Sequence, residues 1–194
     1  RFAYSNKVSW GFTAEKDAGE EFFKGTQPNG FDFYSFHFYL KNTGIFEALA
    51  LGDYQVQYGQ GLTLWSGYGF GKSSDVMSIK KNAAGIKPYT STGEALFLRG
   101  GAVALKKNKI QADIFFSKKK IDANVSEMDT LSDEVLSISS LDETGYHRLL
   151  SELENKNAIA LTLYGAHITY NNRRLNLGLT GVRYQYDADL VRRT

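Results

Sequence analysis

The chain has 194 residues, enough for one domain with a substantial core, and no shift in composition marks a boundary, so residues 1–194 are treated as a single unit. With 13 Phe, 12 Tyr and 19 Gly but 2 Pro, the composition favours many strands and turns. The net charge of +2 is spread along the chain and gives nucleic-acid binding no electrostatic support, and the absence of Cys excludes disulfides and thiolate metal sites.

The first segment alternates apolar and polar side chains up to Glu15, which predicts one strand with two unlike faces. At about 14 residues it is longer than a usual soluble strand and long enough to cross a bilayer when tilted. Aromatic residues lie toward both ends of its apolar face, as in a lipid-facing strand between two interfacial girdles. That face consists of Phe2, Tyr4, Val8, Trp10 and Phe12.

Six further strands are predicted as three hairpins with short turns. Their ranges are about 31–41 with 46–57, 95–106 with 110–117, and 158–170 with 175–180, and the turns are Asn42-Thr43-Gly44, Lys107-Asn108-Lys109 and Asn171-Asn172-Arg173. Seven strands are an odd number, whereas single-chain bacterial barrels usually have an even one. We therefore expect an incomplete barrel and a chain that is a fragment of a longer one.

Long connections separate the hairpins, at about 16–30, 59–94 and 119–156. Such lengths count against a soluble domain, but bacterial barrels carry short turns at one end and long loops at the other. The last connection is predicted to contain a short helix, because Leu149, Leu150 and Leu153 share a helical face. The sequence thus predicts an all-β, antiparallel, up-and-down transmembrane β-barrel with long outer loops and one short loop helix.

Several stretches of the chain form longer sequence motifs. The longest runs Gly-Asp-Tyr-Gln-Val-Gln-Tyr-Gly-Gln-Gly-Leu from residue 52 to 62, followed by Leu64-Trp65-Ser66-Gly67 and Phe70-Gly71-Lys72-Ser73. Shorter stretches are 15–20, 31–35, 89–94, 98–100, 120–123 and 145–148. Together these stretches resemble a Bacteroidetes outer-membrane β-barrel family, which implies an outer-membrane location and a barrel, and no particular activity. Members often carry a helix-hairpin-helix region before the barrel, and it has no match here.

A polar set is predicted to line the interior on three successive strands and a loop. It consists of Glu47, Asp53, Gln55, Gln57, Gln60, Arg99 and Asp113. These side chains form either a hydrogen-bonded plug that fills and stabilises a narrow barrel, or a polar path that selects solutes. Three aromatics of the second long loop are candidates to stack on a sugar, to constrict the lumen or to hold the loop to the rim: Trp65, Tyr68 and Phe70.

Other site chemistries lack the required spacing. Gly71-Lys72-Ser73 ends like a phosphate-binding loop, but Ser66 stands where the first glycine is needed. The histidines at 37, 147 and 167 lack metal-ligand spacing, and the adjacent acids 20–21 and 142–143 need not converge. We expect no metal, cofactor or catalytic residue, and no enzyme.

The leading functional hypothesis is a channel or uptake pore for small polar solutes in the bacterial outer membrane, in contact with its lipid and without nucleic acid. One alternative is a non-transporting scaffold subunit of an envelope or secretion assembly, whose loops bind other envelope proteins. The other is a soluble ligand-binding β-barrel, in which the aromatics of the first segment would point inward.

Overall fold

The fold is almost entirely antiparallel β-structure, as the sequence predicts. The computed structural model describes residues 1–16, 23–24, 30–31, 33–67, 80–93, 95–128, 135–142 and 150–191. Within those residues the chain forms twelve strands and one short helix. No helix in this part of the chain has the length and apolar character needed to span a membrane.

The strands in chain order are β1 (Phe2–Tyr4), β2 (Val8–Glu15), β3 (Phe33–Thr43), β4 (Phe46–Gln57), β5 (Gly85–Pro88), β6 (Leu98–Lys107), β7 (Ile110–Ile121), β8 (Ala123–Met128), β9 (Val135–Leu141), β10 (Ile159–Asn172), β11 (Leu175–Tyr186) and β12 (Asp189–Leu190). The helix, α1 (Leu150–Glu154), lies in the last long connection and confirms the prediction made there. The three predicted hairpins are also confirmed, as β3 with β4, β6 with β7, and β10 with β11.

The main sheet has the order β1-β2-β3-β4-β6-β7-β10-β11, and β5 pairs with β4 off this path. A second sheet has the order β12-β9-β8, in which β12 is parallel to β9. Within the described residues no ladder joins β1 to β11, so the hydrogen-bonded path of the main sheet is open.

The prediction of one long first strand is wrong, because the chain reverses after Tyr4 and returns as β2. Ser5 and Asn6 both have positive φ, at 52° and 50°, and the Lys7 amide donates to the Tyr4 carbonyl at 3.1 Å. Two successive positive-φ residues make a tight hairpin turn. A turn without glycine left the alternation of side chains unbroken, so period two alone did not show it.

The count of seven strands is also wrong. The connection predicted over 59–94 contains β5, and the one over 119–156 contains β8 and β9. β8 follows β7 after a single residue. The second sheet therefore begins at the end of the main sheet where the long connections lie. These connections are therefore partly ordered as sheet.

The main sheet curls around a core. One buried cluster combines residues of β4, β6, β7 and β10, and side chains from β3 and β11 pack against it. Strands that lie five positions apart in the sheet order therefore meet over a single core. The concave side of the sheet is called its inner face below, and the convex side its outer face.

The outer face is rich in exposed apolar side chains, as the alternation predicts for β2, β7 and β11. On β7, exposed Ile110, Ile114 and Phe116 alternate with buried Asp113 and Ser117. Other exposed members are Phe2, Tyr4, Trp10, Phe12, Tyr34, Phe36, Leu51, Tyr164, Ile168, Leu175, Leu177 and Leu179.

Strand β4 departs from the predicted facing. The alternation placed Ala48 and Ala50 on the outer face, but both are buried in the core cluster. Ala102 and Ala104 of β6 pair with Ala50 and Ala48, so four small side chains meet on the inner face at this level.

Farther along, β4 bends at Gly52, which pairs with Gly100 of β6. Both glycines have positive φ, at 86° and 151°, and a Cβ on either one would clash with a backbone carbonyl oxygen of the neighbouring strand, that of Phe36 or Phe116. Beyond this bend every residue from Asp53 to Gln57 is buried. The two glycines in register thus mark the point where β4 parts from β3, since Gly52 is the last residue of β4 in that ladder.

We predict that Gly52→Ala destabilises the fold by several kcal/mol, because it adds a clash with backbone to the cost of positive φ. Gly44→Ala is the matched control: Gly44 also has positive φ, at 61°, but nothing lies within 4 Å of its added Cβ, so we expect a loss of only about 1 kcal/mol. Thermal unfolding followed by circular dichroism measures both. Equal losses would contradict the close approach at Gly52.

Candidate functional site inside the curved sheet

Residues 53–58, called the inner segment below, cross the inside of the curved sheet. Tyr54, Val56 and Tyr58 are buried in the core cluster with Phe115 of β7 and Leu163 of β10. The Tyr54 hydroxyl donates to the Phe116 carbonyl at 2.7 Å. These contacts join the inner segment to strands on the opposite part of the sheet.

The other side of the inner segment is held by β5 and a short loop. β5 pairs with residues 54–57, and the Tyr39 hydroxyl of β3 donates to the Ile86 carbonyl of β5 at 3.0 Å. After the inner segment the chain turns back, so that the Ser66 amide donates to the Val56 carbonyl at 2.9 Å. The Val56 amide in turn donates to the Ser66 hydroxyl oxygen at 2.6 Å. The inner segment therefore has its backbone groups satisfied by the protein itself.

An ion pair fixes the start of the inner segment. Arg99 Nε lies 2.7 Å from Asp53 Oδ1 and Arg99 Nη2 lies 2.9 Å from Oδ2, so the guanidinium binds the carboxylate with two parallel hydrogen bonds. Arg99 Nη2 also donates to the Tyr34 carbonyl at 2.7 Å. Asp53 is 2% exposed, so its charge depends on this partner.

A polar cluster lies where the inner segment ends. The Tyr58 ring stacks on the His167 ring of β10, with centroids 4.2 Å apart. His167 Nδ1 lies 2.7 Å from the Thr180 hydroxyl of β11, and the Gln111 amide donates to Asp113 Oδ1 at 2.9 Å. The Tyr58 hydroxyl and Asp113 Oδ2 are buried beside each other at this end of the inner segment.

Two cavities lie on opposite sides of the inner segment. The first, at the long-connection end, has a volume of about 680 Å³ and is lined by Phe97, Arg99 and Lys119 among others. The second, at the short-turn end, has a volume of about 890 Å³ and is lined by Glu47, Gln57, Tyr58, Asp113, His167 and Thr180 among others. No lining residue is shared, and along β7 and β10 the core residues Phe115 and Leu163 lie between the two linings.

Four members of the predicted polar set, Asp53, Gln55, Gln57 and Asp113, are buried, and the set as a whole divides into three groups. Asp53 pairs with Arg99, while Gln55 donates to the Leu96 carbonyl at 2.7 Å. Glu47 lies at a bulge in β4, 3.4 Å from Lys106, and lines the second cavity with Asp113, Gln57 and Gln60. Gln60 is exposed, and its side-chain amide donates to the Lys81 carbonyl and accepts from the Lys81 backbone amide. The set therefore does not form one continuous network.

Of the three loop aromatics, Trp65 is partly buried and forms a bridge with Gln57, with the Lys81 ammonium 5.0 Å from its ring centroid. Tyr68 and Phe70 lie outside the described residues. Trp65 thus secures the loop to the inner segment.

Sequence reasoning missed Tyr54, Tyr58 and His167. The available signal was Gly52 in the middle of an otherwise continuous strand pattern, since an interior glycine often marks a bend or a close approach. Nothing local in the sequence shows that Tyr58 meets a histidine more than a hundred residues later.

Within the described ranges no group of three His, Asp or Glu side chains is placed to hold a metal ion. No family model, no curated protein and no solved structure matches this chain.

We predict that Arg99→Leu destabilises the protein by about 3 kcal/mol, because it leaves the Asp53 carboxylate buried without its partner. Lys106→Leu is the matched control, since it removes the cation of a half-exposed pair with Glu47 and should cost less than about 1 kcal/mol. Chemical unfolding of the full chain measures both. Similar losses for the two variants would show that the Asp53–Arg99 pair is no more stabilising than a surface pair.

Proposed function

We propose that the chain is part of a bacterial outer-membrane protein whose strands contact lipid, and that its inner face carries a path for small polar solutes that the inner segment closes. The exposed apolar outer face carries this proposal. In water such a face would be a large association surface, whereas in lipid it is the expected exterior of a membrane-embedded sheet. The resemblance to the Bacteroidetes barrel family points to the same location.

The height of the outer face supports the proposal. On β7 the outward apolar residues lie between Lys109 and Lys118, and on β11 they lie between Arg174 and Arg183. Each pair of basic residues is nine positions apart, or about 31 Å along a strand. At a tilt of roughly 40° this corresponds to about 24 Å, close to the ~25 Å apolar band of outer-membrane strands. β7 and β11, which run in the same direction, thus give the same height for the apolar band of the outer face.

The interior supports a closed path. A polar cavity lies on each side of the inner segment, but Tyr54, Val56 and Tyr58 fill the layer between the cavities. The same packed layer favours the second candidate function, a scaffold subunit that conducts nothing. The soluble-barrel alternative expects Phe2, Tyr4, Trp10 and Phe12 inside, and all four are exposed.

The two tryptophans test the membrane contact. We predict that in Trp65→Phe the remaining Trp10, on the outer face, is strongly quenched by brominated phosphatidylcholine after reconstitution. In the matched Trp10→Phe variant the remaining Trp65, which pairs with the inner segment, should be quenched several-fold less. Absence of Trp10 quenching in a folded, monomeric protein would contradict the proposal and favour a soluble barrel.

Conductance tests the closed path. We predict that the full chain in a planar bilayer carries no steady current, and that Tyr54→Ala with Tyr58→Ala introduces small current steps by emptying the layer between the cavities. Tyr164→Ala, on the outer face, is the control and should stay silent. Steady current from the unchanged protein would contradict closure. Silence of an inserted double variant would contradict the path and favour the scaffold.

A further inference from the structure

We infer that Lys118, Lys120 and Arg183 form a binding site for the phosphate groups of lipid headgroups, at the long-connection end of the outer face. The inference rests on the proposed membrane contact and adds to it a preference among lipids. All three side chains are exposed and belong to strands of the main sheet.

The sheet register brings the three residues together around one strand. Lys118 of β7 lies opposite Thr162 of β10, and Lys120 lies opposite Ala160. On the other side of β10, Arg183 of β11 lies opposite Tyr164. The two lysines and the arginine therefore flank a short stretch of β10 from both sides. Across β10 from Lys118, Gln185 of β11 lies opposite Thr162, one position farther along the outward side than Arg183.

None of the three cations forms an ion pair within the described residues. Lys119, between the two lysines in sequence, points the opposite way: it is buried, and its ammonium donates to the Ala95 carbonyl at 3.0 Å and lies 4.1 Å from the Phe97 ring centroid. The acid nearest in the register, Asp187, accepts a hydrogen bond from the Ala160 amide at 2.8 Å and forms no ion pair with any of the three cations.

The position selects a lipid phosphate over a soluble anion. The patch begins where the apolar outer face ends, directly after Phe116 and beside Tyr164, so a molecule bound there has apolar chains beside exposed apolar side chains. Basic residues at this level attract anionic headgroups, and Arg binds phosphate with two parallel hydrogen bonds. A soluble anion would gain only the charged contact, which salt screens.

The test compares lipids retained by the reconstituted full chain. Vesicles contain phosphatidylcholine mixed with diphosphorylated lipid A, and native mass spectrometry measures which lipid stays bound after detergent extraction. We expect the unchanged protein to prefer lipid A, and Lys118→Gln with Lys120→Gln and Arg183→Gln to lower that preference about fivefold for each charge removed. The matched control replaces Lys107, Lys109 and Arg174 at the short-turn end with Gln and should keep the preference.

Three results would overturn the inference. Equal lipid A preference in the triple variant and the unchanged protein would show that these cations are not the site. Displacement of lipid A by inorganic phosphate at low concentration would show a soluble-anion site. Trp10 quenching is recorded in the same vesicles: quenching without headgroup preference overturns this inference alone, whereas lack of insertion into either vesicle overturns the proposed membrane contact as well.

Discussion

The interior of this protein depends on the bend at Gly52, where β4 stops pairing with β3 and lies beside Gly100 of β6. A side chain at either position would meet backbone, so both strands need glycine for the bend to form. Before the bend, β4 presents small alanines to the core. After it, the same strand carries Tyr54 and Tyr58 across the interior. One local backbone feature therefore converts a wall strand into the element that fills the space inside.

The contacts that hold the inner segment divide into apolar and polar ones with different physical roles. Packing of Tyr54, Val56 and Tyr58 removes apolar surface from water and stabilises any arrangement that fills the space. The Asp53–Arg99 pair is directional, and desolvation offsets much of its attraction. Its main effect is to select one register of the inner segment, because a segment shifted by one residue would bury Asp53 without a partner. The polar contacts thus set the position of a segment that apolar packing retains.

The sequence predicted β7 well and β4 poorly for a definable reason. On β7 one face is apolar and the other polar, so period two identifies both faces. On β4 the inner side chains before the bend are alanines, which suit either face, and beyond Gly52 the residues of both faces are buried, so the alternation no longer distinguishes them. The long-range partners of the candidate site are beyond any local pattern: Tyr58 stacks on His167, and Asp53 pairs with Arg99 of the neighbouring strand β6. The polar residues were therefore predictable as a set, but their pairing was not.

The two faces of the main sheet respond to different constraints, and β11 shows both. Its outward Leu175, Leu177 and Leu179 are exposed, and against lipid, as we propose, they need only be apolar because lipid has no fixed shape to match. Its inward Gly178 and Thr180 lie against His167, where an added Cβ on Gly178 would come within 3.2 Å of the ring. Under the proposed function, substitutions on the outer face change the contact with lipid, and substitutions on the inner face change the packing that closes the interior. Since alternate residues of one strand carry these effects, the two properties can vary independently.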